Sequence, residues 1–136
     1  MTKDFRVLIV DDELDFLETI VKRLNRRKID ATGIDSGLKA LELLEREHFD
    51  VVILDVRMPG MDGIETLKEM KRKRPLMEVI MLTGHGSVES GVQGMQYGAF
   101  DYVMKPASID ELLEKIHEAY ARKVLHEKKV LDSKLS

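Results

Sequence analysis

The sequence predicts an α/β fold, a parallel five-stranded sheet covered on both faces by five helices. Two observations carry that expectation. Apolar runs of strand length alternate five times with stretches whose apolar residues recur at helical spacing. The runs Val7-Leu8-Ile9-Val10 and Val51-Val52-Ile53-Leu54 are unbroken, as in strands buried on both faces. Five such units, with crossovers long enough for parallel connections, allow a doubly wound sheet in the flavodoxin-like order 2-1-3-4-5; periodicity alone leaves the order open.

The elements follow in order. After the first strand, Val7 to Val10, come Asp11-Asp12-Glu13 and then Leu14, Leu17, Val21 and Leu24, with Phe16 and Ile20 widening the apolar stripe of a helix. Asp30 to Ile34 reads as a second strand whose polar content suits a sheet edge. Ser36 caps a second helix expected to run to about His48, with Leu41 and Leu44 inward. The third strand ends in Asp55 and a Pro59-Gly60 break, and the helix after it carries Ile64, Leu67 and Met70 on one side. Met77 to Leu82 is the fourth strand, followed by Thr83-Gly84. The fourth helix, about Val88 to Tyr97, contains Gly91 and Gly94, each costing roughly 1 kcal/mol relative to Ala. Ala99 to Met104 is the fifth strand, closing on Lys105-Pro106. Ser108 and Glu111 form a capping-box pattern for a fifth helix with Leu112, Leu113, Ile116 and Tyr120. Residues 1–121 therefore read as one domain. Residues 122–136 read as a charged helical extension or the start of a linker, with a thin seam of Val124, Leu131 and Leu135 that does not sustain a heptad repeat.

Composition narrows the function. With 136 residues, 43% hydrophobic and 35% charged, the chain is long enough for a proper core. A net charge of -3 gives no basic field for nucleic acid or an anionic membrane. Cysteine is absent, which removes disulfides, thiolate nucleophiles and Cys-ligated metals. No stretch approaches a membrane span or a signal-peptide core, so a cytoplasmic location is expected. The basic run Lys71-Arg72-Lys73-Arg74 fits a solvated helix end better than a nucleic-acid patch.

Asp11, Asp12, Asp55, Thr83 and Lys105 all fall at carboxyl ends of expected strands and so share one edge of the sheet. Singly each has a plain structural explanation: helix-end complementarity, a turn, a solvated lysine. Together, three carboxylates repel unless a cation intervenes. They make an all-oxygen site suited to Mg2+. A carboxylate nucleophile, a hard metal, a fixed cation and a hydroxyl are what phosphoryl transfer onto a carboxylate needs.

Asp11-Asp12, Leu54-Asp55-Val56-Arg57-Met58-Pro59-Gly60-Met61-Asp62-Gly63, Thr83-Gly84 and Lys105-Pro106 resemble, in order, the motifs of receiver domains of bacterial two-component response regulators. The resemblance spans about residues 5 to 121. It is nearest to the receivers of enhancer-binding transcription activators that carry an ATPase module. It implies that a sensor histidine kinase or phosphotransfer protein passes a phosphoryl group from phosphohistidine to Asp55. Asp12 and Asp55 would ligate Mg2+ directly, Asp11 through water, and Arg57 through its backbone carbonyl. Lys105 would contact one phosphoryl oxygen and Thr83 another. Tyr102 matches the switch aromatic, and Pro106 the often cis proline. It also implies an output face of the fourth helix, fifth strand and fifth helix, which controls an effector domain or downstream protein, and it suggests a homodimer formed through that face on phosphorylation. Such a chain is not an enzyme beyond its own phosphorylation and dephosphorylation, and it does not itself bind DNA.

Two readings inside the family stay open: a portion of a longer regulator, or a complete single-domain one. From another class, a Mg2+-dependent phosphatase with an aspartyl-phosphate intermediate would want an acid/base carboxylate two residues beyond Asp55, where Arg57 stands. A flavodoxin-like cofactor binder would want a glycine- or hydroxyl-rich loop after the first strand, where the acidic residues stand. His85, two residues after Thr83, is either a modulator of acyl-phosphate hydrolysis or a solvated loop residue.

Overall fold

The structure is a computed structural model and describes residues 5–56, 62–84 and 88–135. Its elements are β1 (Arg6–Val10), α1 (Leu14–Arg26), β2 (Asp30–Ile34), α2 (Gly37–Leu44), β3 (Val51–Asp55), α3 (Gly63–Lys73), β4 (Glu78–Thr83), α4 (Val88–Gln96), β5 (Asp101–Met104) and α5 (Ile109–Leu135). All strand pairs are parallel, in the order β2-β1-β3-β4-β5. The polar β2 lies at an edge, and the apolar β1, β3 and β4 occupy the middle.

Alternation along the strands divides the core in two. Leu8, Val10, Val52, Leu54, Val79 and Met81 pack on one face beneath α2, α3 and α4. Val7, Ile9, Val51, Ile53, Ile80 and Leu82 pack on the other, with α1 and α5. Met70, Met77 and Met81 fill this interior, whereas Met95 and Met104 are exposed.

Local chemistry starts the helices where the sequence expects. Ser36 Oγ accepts the Lys39 amide proton, Asp62 Oδ1 that of Glu65 and Ser108 Oγ that of Glu111, each satisfying a free first-turn donor. Two boundaries differ from the sequence expectation, and a third resolves an alternative it left open. Helix α2 stops at Leu44, about a turn before His48, where the Arg74 guanidinium donates to the Leu44 carbonyl and the chain turns to bury Phe49. Strand β5 begins at Asp101 and not Ala99, because the Ala99 amide is bonded to the Gly94 carbonyl at the end of α4. Helix α5 continues unbroken to Leu135.

The first residues beyond 121 belong to the folded body. Lys123 is buried and reaches Asp50 at 3.0 Å, at the amino end of β3, while also pairing with Glu127. Arg122 grips the buried Glu78 of β4 with two nitrogens, at 2.6 and 2.8 Å. Asp50 also accepts the Arg6 amide at 2.8 Å and faces His48 at 3.2 Å. The basic run at the end of α3 is likewise tied down: Lys71 donates to the Pro75 and Met77 carbonyls, Arg72 pairs with Glu69 and Lys73 with Glu45.

Candidate functional site

The carboxyl ends of the strands bring together all five of the expected residues, Asp12 beside Asp11. Asp11 follows β1, Asp55 closes β3, Thr83 closes β4 and Lys105 follows β5. Asp11 and Asp55 are buried, and Asp12 lies nearer solvent. One carboxylate oxygen from each of Asp11, Asp12 and Asp55 falls within 4.8 Å of the others. That is a hard, oxygen-only donor set, which fits Mg2+. Among the described residues it is the one such cluster, and His48, His117 and His126 take no part in it.

Asp11 is the most constrained member. Its amide bonds the Ile34 carbonyl at 3.1 Å, Oδ1 accepts the Glu13 amide at 2.9 Å, and Oδ2 accepts from Lys105 Nζ at 3.0 Å. Lys105 Nζ also donates to Glu13 Oε1 at 2.8 Å and stands 3.8 Å from Asp55 Oδ1. The Phe16 ring lies beneath the ammonium, 4.6 Å from nitrogen to centroid. Burial pulls the Lys105 pKa down, but the hydrogen bonds to Glu13 and Asp11 and the charges of Asp55 and Asp11 outweigh it and hold the group above the ordinary lysine value. The same contact, through its hydrogen bond and then its charge, keeps the Glu13 carboxyl below the usual range.

Asp11, Asp55 and Lys105 project by alternation to the α1/α5 side, whereas Thr83 and Tyr102 project to the side of α4. The Thr83 hydroxyl is buried and has no hydrogen-bond partner among the described residues. A buried hydroxyl normally finds a partner, so this one is open to an acceptor just beyond the sheet edge. Tyr102 lies flat against α4: a Cβ built on Gly91 would stand 2.6 Å from two of its ring carbons. Gly63 has the same kind of role beside Asp55, where a Cβ would fall 2.6 Å from the Val56 Cα and 2.8 Å from the Asp55 carbonyl oxygen. The Gly63 amide closes this approach by bonding the Val56 carbonyl at 3.0 Å. The Lys105–Pro106 peptide bond is cis. Arg57, expected to offer its carbonyl, and His85 lie outside the described residues.

Glu13, which the sequence does not single out for the site, joins it through Lys105. Its exposed side chain gives no burial pattern to read, and the signal that was available is its place in the Asp11-Asp12-Glu13 run.

With this geometry in view, comparison with known proteins is decisive. Residues 7–117 match the family model described as "Response regulator receiver domain". The chain belongs to the response-regulator receiver family. Among curated relatives of this receiver, the regulatory protein AtoC of Escherichia coli K12 is 41% identical over 112 residues, which are 82% of this chain and 24% of AtoC. The transcriptional regulatory protein ZraR of Klebsiella oxytoca is 36% identical over 127 residues, 93% of this chain and 29% of ZraR. The receiver thus spans about a quarter of the length of these relatives. Among solved structures, a response regulator receiver domain protein from Clostridium thermocellum superposes with a TM-score of 0.85 at 35% identity, covering 90% of this chain and 98% of that one. NtrX from Brucella abortus, solved in complex with ADP, gives 0.89 at 27% identity, covering 94% and 30%. Among the described residues, no helix is long and apolar enough to cross a membrane.

Proposed function

We propose that this receiver takes a phosphoryl group onto Asp55 from the phosphohistidine of a sensor kinase or phosphotransfer protein. The observation that carries the reading is the meeting of three carboxylates within 4.8 Å, Lys105 Nζ at 3.8 Å from Asp55, and a buried Thr83 hydroxyl with no partner among the described residues. In the transfer a carboxylate oxygen of Asp55 forms its bond to phosphorus as the bond to the imidazole nitrogen breaks, and that nitrogen keeps the electron pair. Asp11, Asp12 and Asp55, with the Arg57 carbonyl, are the residues that would hold Mg2+. When bound, the ion supplies charge neutralisation between the carboxylates and the incoming phosphoryl oxygens. Lys105 provides a second, fixed positive charge. Thr83 donates to a phosphoryl oxygen, which draws the chain ahead of α4.

That movement is the proposed switch. Thr83 and Tyr102 share the α4 side of the sheet, and Tyr102 rests on the α4 backbone at Gly91, so displacement of one is felt by the other through α4. The output face is then α4, β5 and α5, where Val92, Met95 and Met104 are exposed for a second copy or a downstream protein. The receiver turns over no separate substrate. The phosphorylated unit acts in the cytoplasm and extends past the expected boundary at 121 to include Arg122 and Lys123, which are tied to the sheet, and the remaining residues to 136 lead toward an effector.

Mass spectrometry tests the reading directly. Incubation with Mg2+ and a small phosphodonor should add one phosphoryl mass, lost in Asp55→Asn. Turnover of a phosphate ester with no label on Asp55 would point to the phosphatase alternative and refute the assignment.

A further inference from the structure

We infer that Glu13 is a positioning residue, a releasable counter-charge on Lys105 that the phosphoryl group must outcompete. This rests on the reading of Asp55 as phosphoacceptor and assigns a regulator to that site.

The ammonium of Lys105 has three protons to donate. Two are engaged, at 3.0 Å by Asp11 and 2.8 Å by Glu13, while the Asp55 oxygen at 3.8 Å lies beyond hydrogen-bond reach. Phe16 supports the ammonium from α1 as well, so Lys105 is drawn toward the α1 side of the site. Its two carboxylate partners are not equivalent. Asp11 is fully buried and fixed by bonds to both of its oxygens, so it stays. The main chain of Glu13 is equally fixed, through its amide on Asp11 and its carbonyl on the Leu17 amide, but its side chain is 66% exposed. It can leave Lys105 for water without stranding a buried charge.

Glu13 therefore neutralises part of the positive charge that Asp55 needs, and does so reversibly. A phosphoryl group on Asp55 replaces the single carboxylate charge with about one and a half to two negative charges, spread over oxygens that stand further out, within reach of Lys105. Transfer of the ammonium from Glu13 to that group is favourable, but Glu13 opposes it and so sets a threshold for acceptance. Because the pair is solvent-exposed on the glutamate side, the effect is modest, about threefold in rate or affinity.

The test compares wild type, Glu13→Gln and Asp55→Asn at saturating Mg2+, so that any change in metal affinity drops out. Labelling by phosphoramidate should be about threefold faster in Glu13→Gln, and beryllium fluoride, a phosphoryl mimic, should bind about threefold tighter. Both differences should shrink as salt is raised to about 1 M. The Lys105 ammonium nitrogen resonance should differ between wild type and Glu13→Gln at rest and converge once beryllium fluoride is bound. Equal rates and affinities, or slower labelling in Glu13→Gln, overturn the inference while leaving the Asp55 assignment standing. No label on wild type, or label retained in Asp55→Asn, overturns both.

Discussion

Asp50→Ala tests how α5 is fastened to the sheet. Asp50 is buried at the start of β3, where its carboxylate holds Lys123 at 3.0 Å, the Arg6 amide at 2.8 Å and His48 at 3.2 Å. Removing it leaves a buried lysine with Glu127 alone and strips the Arg6 amide of its side-chain acceptor. Breaking one side of a buried pair costs about 3–5 kcal/mol. Glu127 retains half of the lysine's compensation, so the low end, about 3 kcal/mol, applies here. With a urea dependence of roughly 2 kcal/mol per molar, the midpoint should fall by about 1.5 M. Replacing Lys123 with Met as well removes the stranded charge, and the double variant should recover about 1–2 kcal/mol of the loss. Amide exchange should show the turn around Lys123 losing protection first. A loss below about 1 kcal/mol in Asp50→Ala, or strict additivity with Lys123→Met, would refute the claim that this pair pins the helix.

Three further outcomes follow from the site and its supports. Thr83→Val replaces a buried hydroxyl that has no partner among the described residues with a methyl, so it should raise stability by about 1 kcal/mol while weakening phosphate-dependent dimerisation or partner binding; a destabilised variant in urea would contradict it. Gly63→Ala forces a methyl against the backbone of Asp55 and Val56, and should cost about 2 kcal/mol and lower Mg2+ affinity by calorimetry; wild-type affinity would show that this approach does not set Asp55. Burial lowers the pKa of Lys123, but hydrogen bonds to Glu127 and Asp50 and their charges raise it further, to a net upward shift. Its stabilising contribution is therefore complete below about pH 10 and is lost as pH rises through the folded value, and Lys123→Met should flatten that alkaline loss in thermal melts.

The sheet was legible because its strands bury both faces: Val7 to Val10 and Val51 to Leu54 announce themselves by lacking polar residues. The site was legible because its carboxylates stand where those runs stop. What could not be read depends on side chains reaching across the fold. Arg122 and Lys123 look like any solvated charges in a polar stretch, and only three-dimensional proximity to Glu78 and Asp50 draws them inward. Glu13 is similar, since its pairing with Lys105 joins residues 92 positions apart. The end of α2 depends on Arg74, thirty residues on, and the start of β5 on where α4 places its last carbonyls. The resemblance marks Tyr102 as a switch aromatic, but its seat on Gly91 requires knowing which face of α4 meets β5.

The grip of Arg122 and Lys123 has a mechanical consequence. Helix α5 starts near the phosphoacceptor edge and is clamped at the opposite edge of the sheet, so a tilt about the buried pair would carry its last twelve residues with it as a lever arm. At 1.5 Å per residue the arm from Lys123 to Leu135 is about 18 Å, and a tilt of about 5° at the fulcrum swings its tip by roughly 1.6 Å. A tilt too small to disturb the packing at the sheet would thus become, at Leu135, a displacement on the scale of a bond length.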